Sequence, residues 1–473
     1  MAATDLKAGL ERDDIQGLLA SGYGHLREAR FLLLAIDDPA LAGAWLGRLA
    51  DELTTARAKS RGAAVNVALA ASGLAKLGLP PALGKLSNRF LDGMTAEPRS
   101  RALGDVDGDA PEHWRWGGPT TAPVDLLLLL YAEDESSLAT LEQRLTADAG
   151  LELVERLDTQ WSDREHFGFR DGIAQPVVEG LREGPPDDTI KAGEFVLGYP
   201  NEYGDVTGRP LVSRSADPDG ILSTDEVSGD ADLGRNGCYL VLRQLSQDVA
   251  GFWSFLDRVT SDADGRSDPD ARARLAARIV GRWPNGEPLV LAPDGPRAQP
   301  YAVNEFRYHD LDPDGLRCPL GAHIRRSHPR DMLDPDPGSE RSIAIDKLHR
   351  LLRRGRGYGS PIAPDAAPGG GAEDERGLHF ICLCANIARQ FEFVQHTWLN
   401  NPKFNGLYDD ADPLVGPAGR SLTVQAKPVR KRVTGLPSFV GVRGGAYFFL
   451  PGVRAVRYLA SIASPASATP AGA

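Results

Sequence analysis

Apolar residues along the chain gather in short runs, each followed by a stretch of helical period. Phe31-Leu32-Leu33-Leu34 is one such run and Tyr239-Leu240-Val241-Leu242 is another, and they stand 208 positions apart. At the same offset, without a gap, Ala42-Gly43-Ala44-Trp45 lies over Ala250-Gly251-Phe252-Trp253. Each copy reads as a short strand, a turn and an amphipathic helix with a tryptophan on its buried side. The helices are expected over roughly 39–56 and 247–260.

Each copy is followed by a second strand–helix pair. In the first half, Val124 to Ala132 precedes a helix over Glu135–Ala147 and a strand near Leu151–Leu157. In the second, Leu378 to Cys384 precedes a helix over Ile387–Asn400, and a closing strand runs near Phe439–Phe449. Strand–helix–strand repeated within each half is the pattern of a split βαβ unit. The expected fold is therefore α+β: a duplicated ferredoxin-like sandwich with antiparallel sheets and helices on one face. The expected division is 1–225, 226–460 and a disordered low-complexity tail over 461–473. Long stretches rich in Gly, Pro and Asp, near 91–122, 180–235, 261–275, 285–317 and 329–342, read as functional loops.

A net charge of −12 over 473 residues argues against nucleic acid as a partner, which needs a clustered basic surface. It leaves room for a local basic pocket. Nine arginines crowd between Arg317 and Arg356, enough to hold an anionic group such as a carboxylate-bearing cofactor. Cysteines at 238, 318, 382 and 384 make no disulfide framework and no CxxC pair, and read as buried thiols. The first residues lack a secretory pattern, and the Val124–Ala132 run is too short to cross a bilayer. These features predict a cytoplasmic protein with no membrane partner.

The most informative stretch is Gly168-Phe169-Arg170-Asp171-Gly172-Ile173-Ala174-Gln175-Pro176. Two glycines admit backbone conformations closed to other residues and let a flat ligand approach, while Pro176 stiffens the exit. Locally, Asp171-Gly172 is also a common turn pair. A second candidate is Cys318-Pro319-Leu320-Gly321-Ala322-His323-Ile324-Arg325-Arg326-Ser327-His328-Pro329-Arg330. His323 lies among small and apolar residues and reads as inward-pointing. It is either a core histidine satisfied by backbone or an axial ligand to a haem iron, with nearby arginines pairing the propionates. His328 is a less attractive ligand because it reads as more exposed. Asp310 to Gly315 imitates a calcium loop but meets Gly321 where a bidentate Glu is needed. Gly22-Tyr23-Gly24 has Arg27 in place of the third glycine of a dinucleotide fingerprint. No P-loop, GxSxG, HExxH or CxxCH motif occurs.

Together these segments resemble the dye-decolourising peroxidase family. Gly168 to Gly172 looks like its GxxDG signature, and Cys318 to Arg330 like the segment bearing its proximal histidine. His349 to Gly359 looks like the segment bearing its distal arginine, and Phe380 to Gln395 like its last block. The resemblance spans nearly the whole chain and agrees with the repeat. It implies non-covalent haem b in the C-terminal half and oxidation of one-electron donors, small molecules or dyes, by hydrogen peroxide. His323 would be the iron ligand and Asp171 the acid–base. Arg353, with Arg354 as its neighbouring rival, would stabilise charge. Arg325, Arg330, Gly172 and Ile173 would contact the cofactor.

Two departures from the family follow. Gly357 stands where proline is often found, so a more flexible loop is expected around Arg353. The acid expected behind the proximal histidine has no clear counterpart: Ala388 takes that place, with Asn386 as a substitute. That would leave His323 less imidazolate-like. Burial of Asp171 and the charge of Arg353 would act on its proton affinity in opposite directions. Large donors would react at the surface through aromatic relays such as Trp398, Tyr358 or Trp253. The alternative function is a haem-binding protein without turnover.

Overall fold

The first half builds β1 (Glu28–Ile36), α1 (Pro39–Leu49), β2 (Ala63–Leu69), β3 (Leu126–Ala132), α2 (Glu135–Thr146) and β4 (Leu151–Asp158). Pairing is antiparallel throughout, in the order β2-β3-β1-β4. This is the split βαβ arrangement. Leu32, Leu34 and Ile36 of β1 pack with Trp45 and Leu46 of α1 and with Leu138 and Leu141 of α2 in one core. Phe31 and Leu33 enter a second core on the other face, beneath Ile15, Leu18 and Phe195. Because both faces are covered, β1 is apolar almost throughout instead of alternating.

The second half repeats the order with β5 (Cys238–Gln247), α3 (Val249–Thr260), α4 (Pro269–Val280) and α5 (His323–Ser327), then β6 (Leu352–Arg353), β7 (Arg356–Tyr358), β8 (Gly377–Cys384), β9 (Val440–Leu450) and α6 (Val453–Ala463). Both β6 and β7 pair with β8, which pairs with β5, which pairs with β9. Phe449 of β9 meets Leu69 of β2, so the halves share one nine-stranded antiparallel sheet. The structure is a computed structural model that describes residues 9–79, 86–297, 304–362 and 374–463.

Four helices start on an aspartate whose carboxylate accepts an early amide: Asp38 from Ala40, Asp134 from Ser137, Asp248 from Gly251 and Asp268 from Ala271. Such caps contribute about 1 kcal/mol each. The repeated tryptophans, Trp45 and Trp253, are both buried on their helices. All four cysteines are buried and unpaired.

Several expectations need correction. The helix predicted over 387–400 is two π-helical segments, Ala388–Glu392 and Val394–Leu399, a form that is rare and found often at functional sites. Strand β2 and helix α4 were not anticipated, and α4 takes up part of the loop placed over 261–275. Ser461–Ala463 are the last turn of α6 rather than the start of a disordered tail, and the rest of that tail lies outside the described residues. Among the described residues no helix is long and apolar enough to cross a membrane.

Candidate active site

Alternation along three strands sends Leu378 and Phe380 of β8, Arg243, Leu245 and Gln247 of β5, and Val440 and Val442 of β9 to one side of the sheet. They wall a cavity of about 340 Å³. Phe391, Val394 and Leu399 of the π-helical segments line it too, as do His323 and Ile324 of α5 and the loop carrying Asp171. Asp171, Arg353 and His323, far apart in sequence, therefore face one space.

Asp171 ends a tight hairpin. Its amide donates to Asp163 O (3.0 Å), Glu165 N donates to Phe169 O (2.9 Å), and Gly168 N donates to Glu165 O (2.8 Å). Gly168 and Gly172 both have positive φ, at 97° and 74°. A Cβ at Gly172 would meet nothing within 4 Å, so conformation, not space, requires glycine there. The Asp171 carboxylate accepts from Gly172 N (2.6 Å) and is exposed to the cavity rather than buried. Ile173 lines the same cavity, and its carbonyl accepts from Asn304 Nδ2 (2.6 Å).

Arg353 does not sit on a loose loop. Its backbone pairs with Cys382 in the sheet, and its amide donates to Gln175 Oε1 (2.9 Å). Gly357 is likewise held in β7, paired with Leu378. Burial lowers the Arg353 pKa, while Asp171 opposes the shift. The rival, Arg354, points away: its guanidinium donates to Leu18 O and Leu19 O.

The acid behind His323 is Asp412. Its Oδ2 lies 2.9 Å from His323 Nδ1, and its Oδ1 accepts from Leu414 N (2.9 Å) and Val415 N (3.0 Å). Burial pushes the Asp412 carboxyl up, but His323, Arg326 and the Val415 amide outweigh it and hold the group at about 2. An ionised acceptor fixes the proton on Nδ1 and leaves Nε2 with its lone pair. The substitute expected at Asn386 instead accepts from Arg389 N, inside the π-helical segment. Asp412 is 89 residues from His323 and in a Pro/Asp-rich loop, so no local pattern announced it.

The arginine-rich segment divides in two. Arg325 is fully buried, bound to Asp312 and Cys318 O and stacked over Tyr308, and it does not line the cavity. Arg330 does line it, donating to Phe306 O (3.2 Å). Arg282, which sequence reasoning missed, joins it, bound to Gly286 O and Asn304 Oδ1. Burial first, then the charges of Arg330 and Arg353, push the Arg282 pKa down to about 10. Among the described residues Arg282, Arg330 and Arg353 form no ion pair. Cations crowded on a cavity and not committed to ion pairs suit an anionic ligand. Beside them stand a histidine nitrogen without a protein partner and apolar walls at Leu245, Leu378, Phe380 and Val394. This donor set fits haem: imidazole for iron, apolar faces for the ring, arginines for propionates.

A further polar group, Glu165, borders the cavity. Glu165 accepts from Phe167 N (2.9 Å), Phe169 N (2.9 Å) and Gln247 Nε2 (2.8 Å). It also borders a smaller outer pocket of about 200 Å³, lined by Trp161, His166 and Arg356.

No family model matches the chain. A dye-decolorizing peroxidase of Exidia glandulosa is 29% identical over 478 residues, 95% of this chain and 87% of that protein. A multifunctional dye peroxidase of Amycolatopsis sp. is 29% identical over 74% of each chain. Among solved structures, an ancestral D-type dye decolorizing peroxidase superposes with a TM-score of 0.76 at 26% identity, over 95% of this chain and 99% of that one. The decolorizing peroxidase of Auricularia auricula-judae gives 0.76 at 26% identity, over 95% and 100%. Likeness of sequence and fold to dye-decolourising peroxidases thus runs nearly the length of the chain.

Proposed function

We propose that this peroxidase binds haem b non-covalently and uses hydrogen peroxide to oxidise phenols and dyes, with His323 as iron ligand, Asp171 as acid–base and Arg353 as charge stabiliser. The observation that carries this reading is the meeting of these three side chains on one cavity, with His323 anchored through Nδ1 to Asp412. A relative-like structure supports the donor class: a dye-decolorizing peroxidase in complex with 2,6-dimethoxyphenol has a TM-score of 0.77 to this chain at 25% identity. The unpaired cysteines are in keeping with a reducing compartment, the cytoplasm. The two sandwich units are read as 1–225 and 226–460.

When bound, haem supplies the redox chemistry. His323 would hold the iron through Nε2, and donation of Nδ1–H to the Asp412 carboxylate makes the imidazole a stronger electron donor, the reverse of the effect expected from Asn386. Arg282 and Arg330 would pair with carboxylates of the cofactor. Asp171 Oδ would take the proton from one peroxide oxygen and return it to the other, which leaves as water when the O–O bond breaks, the two electrons for that cleavage being the chemistry the haem would supply. Arg353 stabilises the negative charge that grows on the departing oxygen, worth about 3 kcal/mol for a preorganised donor. The test is the absorption spectrum of purified protein. The Soret band is expected to collapse in His323→Ala and to persist in His328→Ala. A wild-type band in His323→Ala overturns the ligand assignment.

A further inference from the structure

Peroxide carries the protons for the first water that leaves the site. The second oxygen atom leaves as water only after two electrons and two more protons have reached the cavity. The electrons come from donors, and the protons need a path inward that the acid–base role of Asp171 does not itself provide.

Glu165 stands on such a path. It lines both the cavity and the outer pocket, and Asp171, Gly172, Gln247 and Leu378 are shared with it by the two. We propose that Glu165 is the proton relay between the outer pocket and Asp171 during the reductive half of the reaction, an inference that rests on the acid–base role given to Asp171. No hydrogen bond joins the two carboxyls, so the handover crosses the space that both border.

The surroundings of Glu165 suit a group that gains and loses a proton. Three N–H donors hold the ionised form in place without an ion pair among the described residues. Burial pushes its pKa up to about 7, and the charge of Asp171 adds to this. The other titratable and charged groups around the outer pocket are Arg164, His166 and Arg356. Burial lowers the His166 pKa, so His166 is neutral and does not compete for the proton near neutral pH. Arg164 is engaged with Gly168 O and Pro284 O, and Arg356 with carbonyls of Tyr23, Leu26 and Arg27. Glu165 is thus protonated below about pH 7 and able to deliver, and ionised above it.

The test compares Glu165→Gln with wild-type holoenzyme by rapid mixing. The peroxide-driven spectral change is expected to keep its rate, while the donor-driven return slows by about a hundredfold, the lower end for a placed proton donor. In wild type the return should slow as pH rises through 7, and the variant should lose that limb. A return at wild-type rate and with wild-type pH dependence overturns the proposal. Asp171→Asn in the same experiment reads the other assignment, because it acts on the first phase. Infrared spectroscopy of the haem-free and loaded proteins provides a readout independent of turnover. A protonated-carboxyl band that titrates near pH 7 should be missing in Glu165→Gln. Retention of that band in the variant also overturns the proposal.

Discussion

Strands β1 and β5 hold the same place in the two halves, yet their helix-side residues differ in character. On β1 they are Leu32, Leu34 and Ile36, sealed under Trp45, Leu138 and Leu141. On β5 the side that begins with Tyr239 and Val241 continues into Arg243, Leu245 and Gln247, and those three face the cavity. Strand β5 runs ten residues to Gln247, and β1 stops after nine. The added reach is polar, and Arg243 is paired with Asp105 and Gln247 with Glu165. One topology thus serves as a closed core in the first half and as the wall of a reaction chamber in the second. The first half supplies to that chamber the hairpin that ends in Asp171.

The contrast breaks most sharply at Asp171. Asp171→Asn should cut the rate of reaction with peroxide by about 10² to 10⁴ without changing the unfolding midpoint. Rapid mixing and thermal melts check this together, and a slow variant that also melts early would mean that the residue is structural. The mirror experiment is Leu128→Ala in the sealed core, where Leu128 is fully buried. It should cost about 2–5 kcal/mol in denaturant unfolding and leave the peroxide rate per folded molecule intact.

The seam between the halves offers a third test. His379 of β8 is buried, makes a T-shaped contact with the Phe31 ring and donates through Nε2 to Asp158 O (3.1 Å), while its Nδ1 has no hydrogen-bond partner. Burial, against a small opposing effect of Asp158, depresses its pKa to about 4. The unfolded chain therefore binds this proton first, from pH 6.5 down. Stability is full above about 6.5 and falls as pH drops through 4, by up to about 3 kcal/mol. His379→Gln should flatten that slope in pH-dependent unfolding. The smallest effect is expected for Asp412→Asn, where haem affinity or activity should drop about 10- to 100-fold. Haem-transfer titration reads it, and an unchanged affinity together with unchanged activity would remove the Asp412 anchor from the mechanism.

Where period and run length were strong, the sequence was readable. Leu126–Ala132 is a continuous apolar strand, Gly377–Cys384 is broken only by His379, and the aspartate-capped helix after the first follows a helical period. Strand β2 is harder to see because Asn66 interrupts a run of small residues; its carboxamide is used inside, accepting from Leu18 N (2.9 Å). Strands β6 and β7 hide because they are short and carry arginines, Arg353 and Arg356, whose guanidinium groups donate to backbone carbonyls of Ala174 and Leu26. Asp171, Arg353 and His323 were found through motif segments. Asp412, Arg282 and Glu165 were not, because their roles arise from contacts between loops distant in sequence.

The arginines that flank Arg353 have one more consequence. Arg354 holds Leu18 O and Leu19 O, and Arg356 holds Tyr23 O, Leu26 O and Arg27 O. The Leu18–Arg27 segment is thereby part of one cooperative unit with the strand that carries Arg353. Local opening of that segment releases both guanidinium clamps at once, so its amide hydrogen exchange should report on the order of the chamber wall. A substitution at the distant edge of the molecule can then loosen Arg353 without touching the cavity.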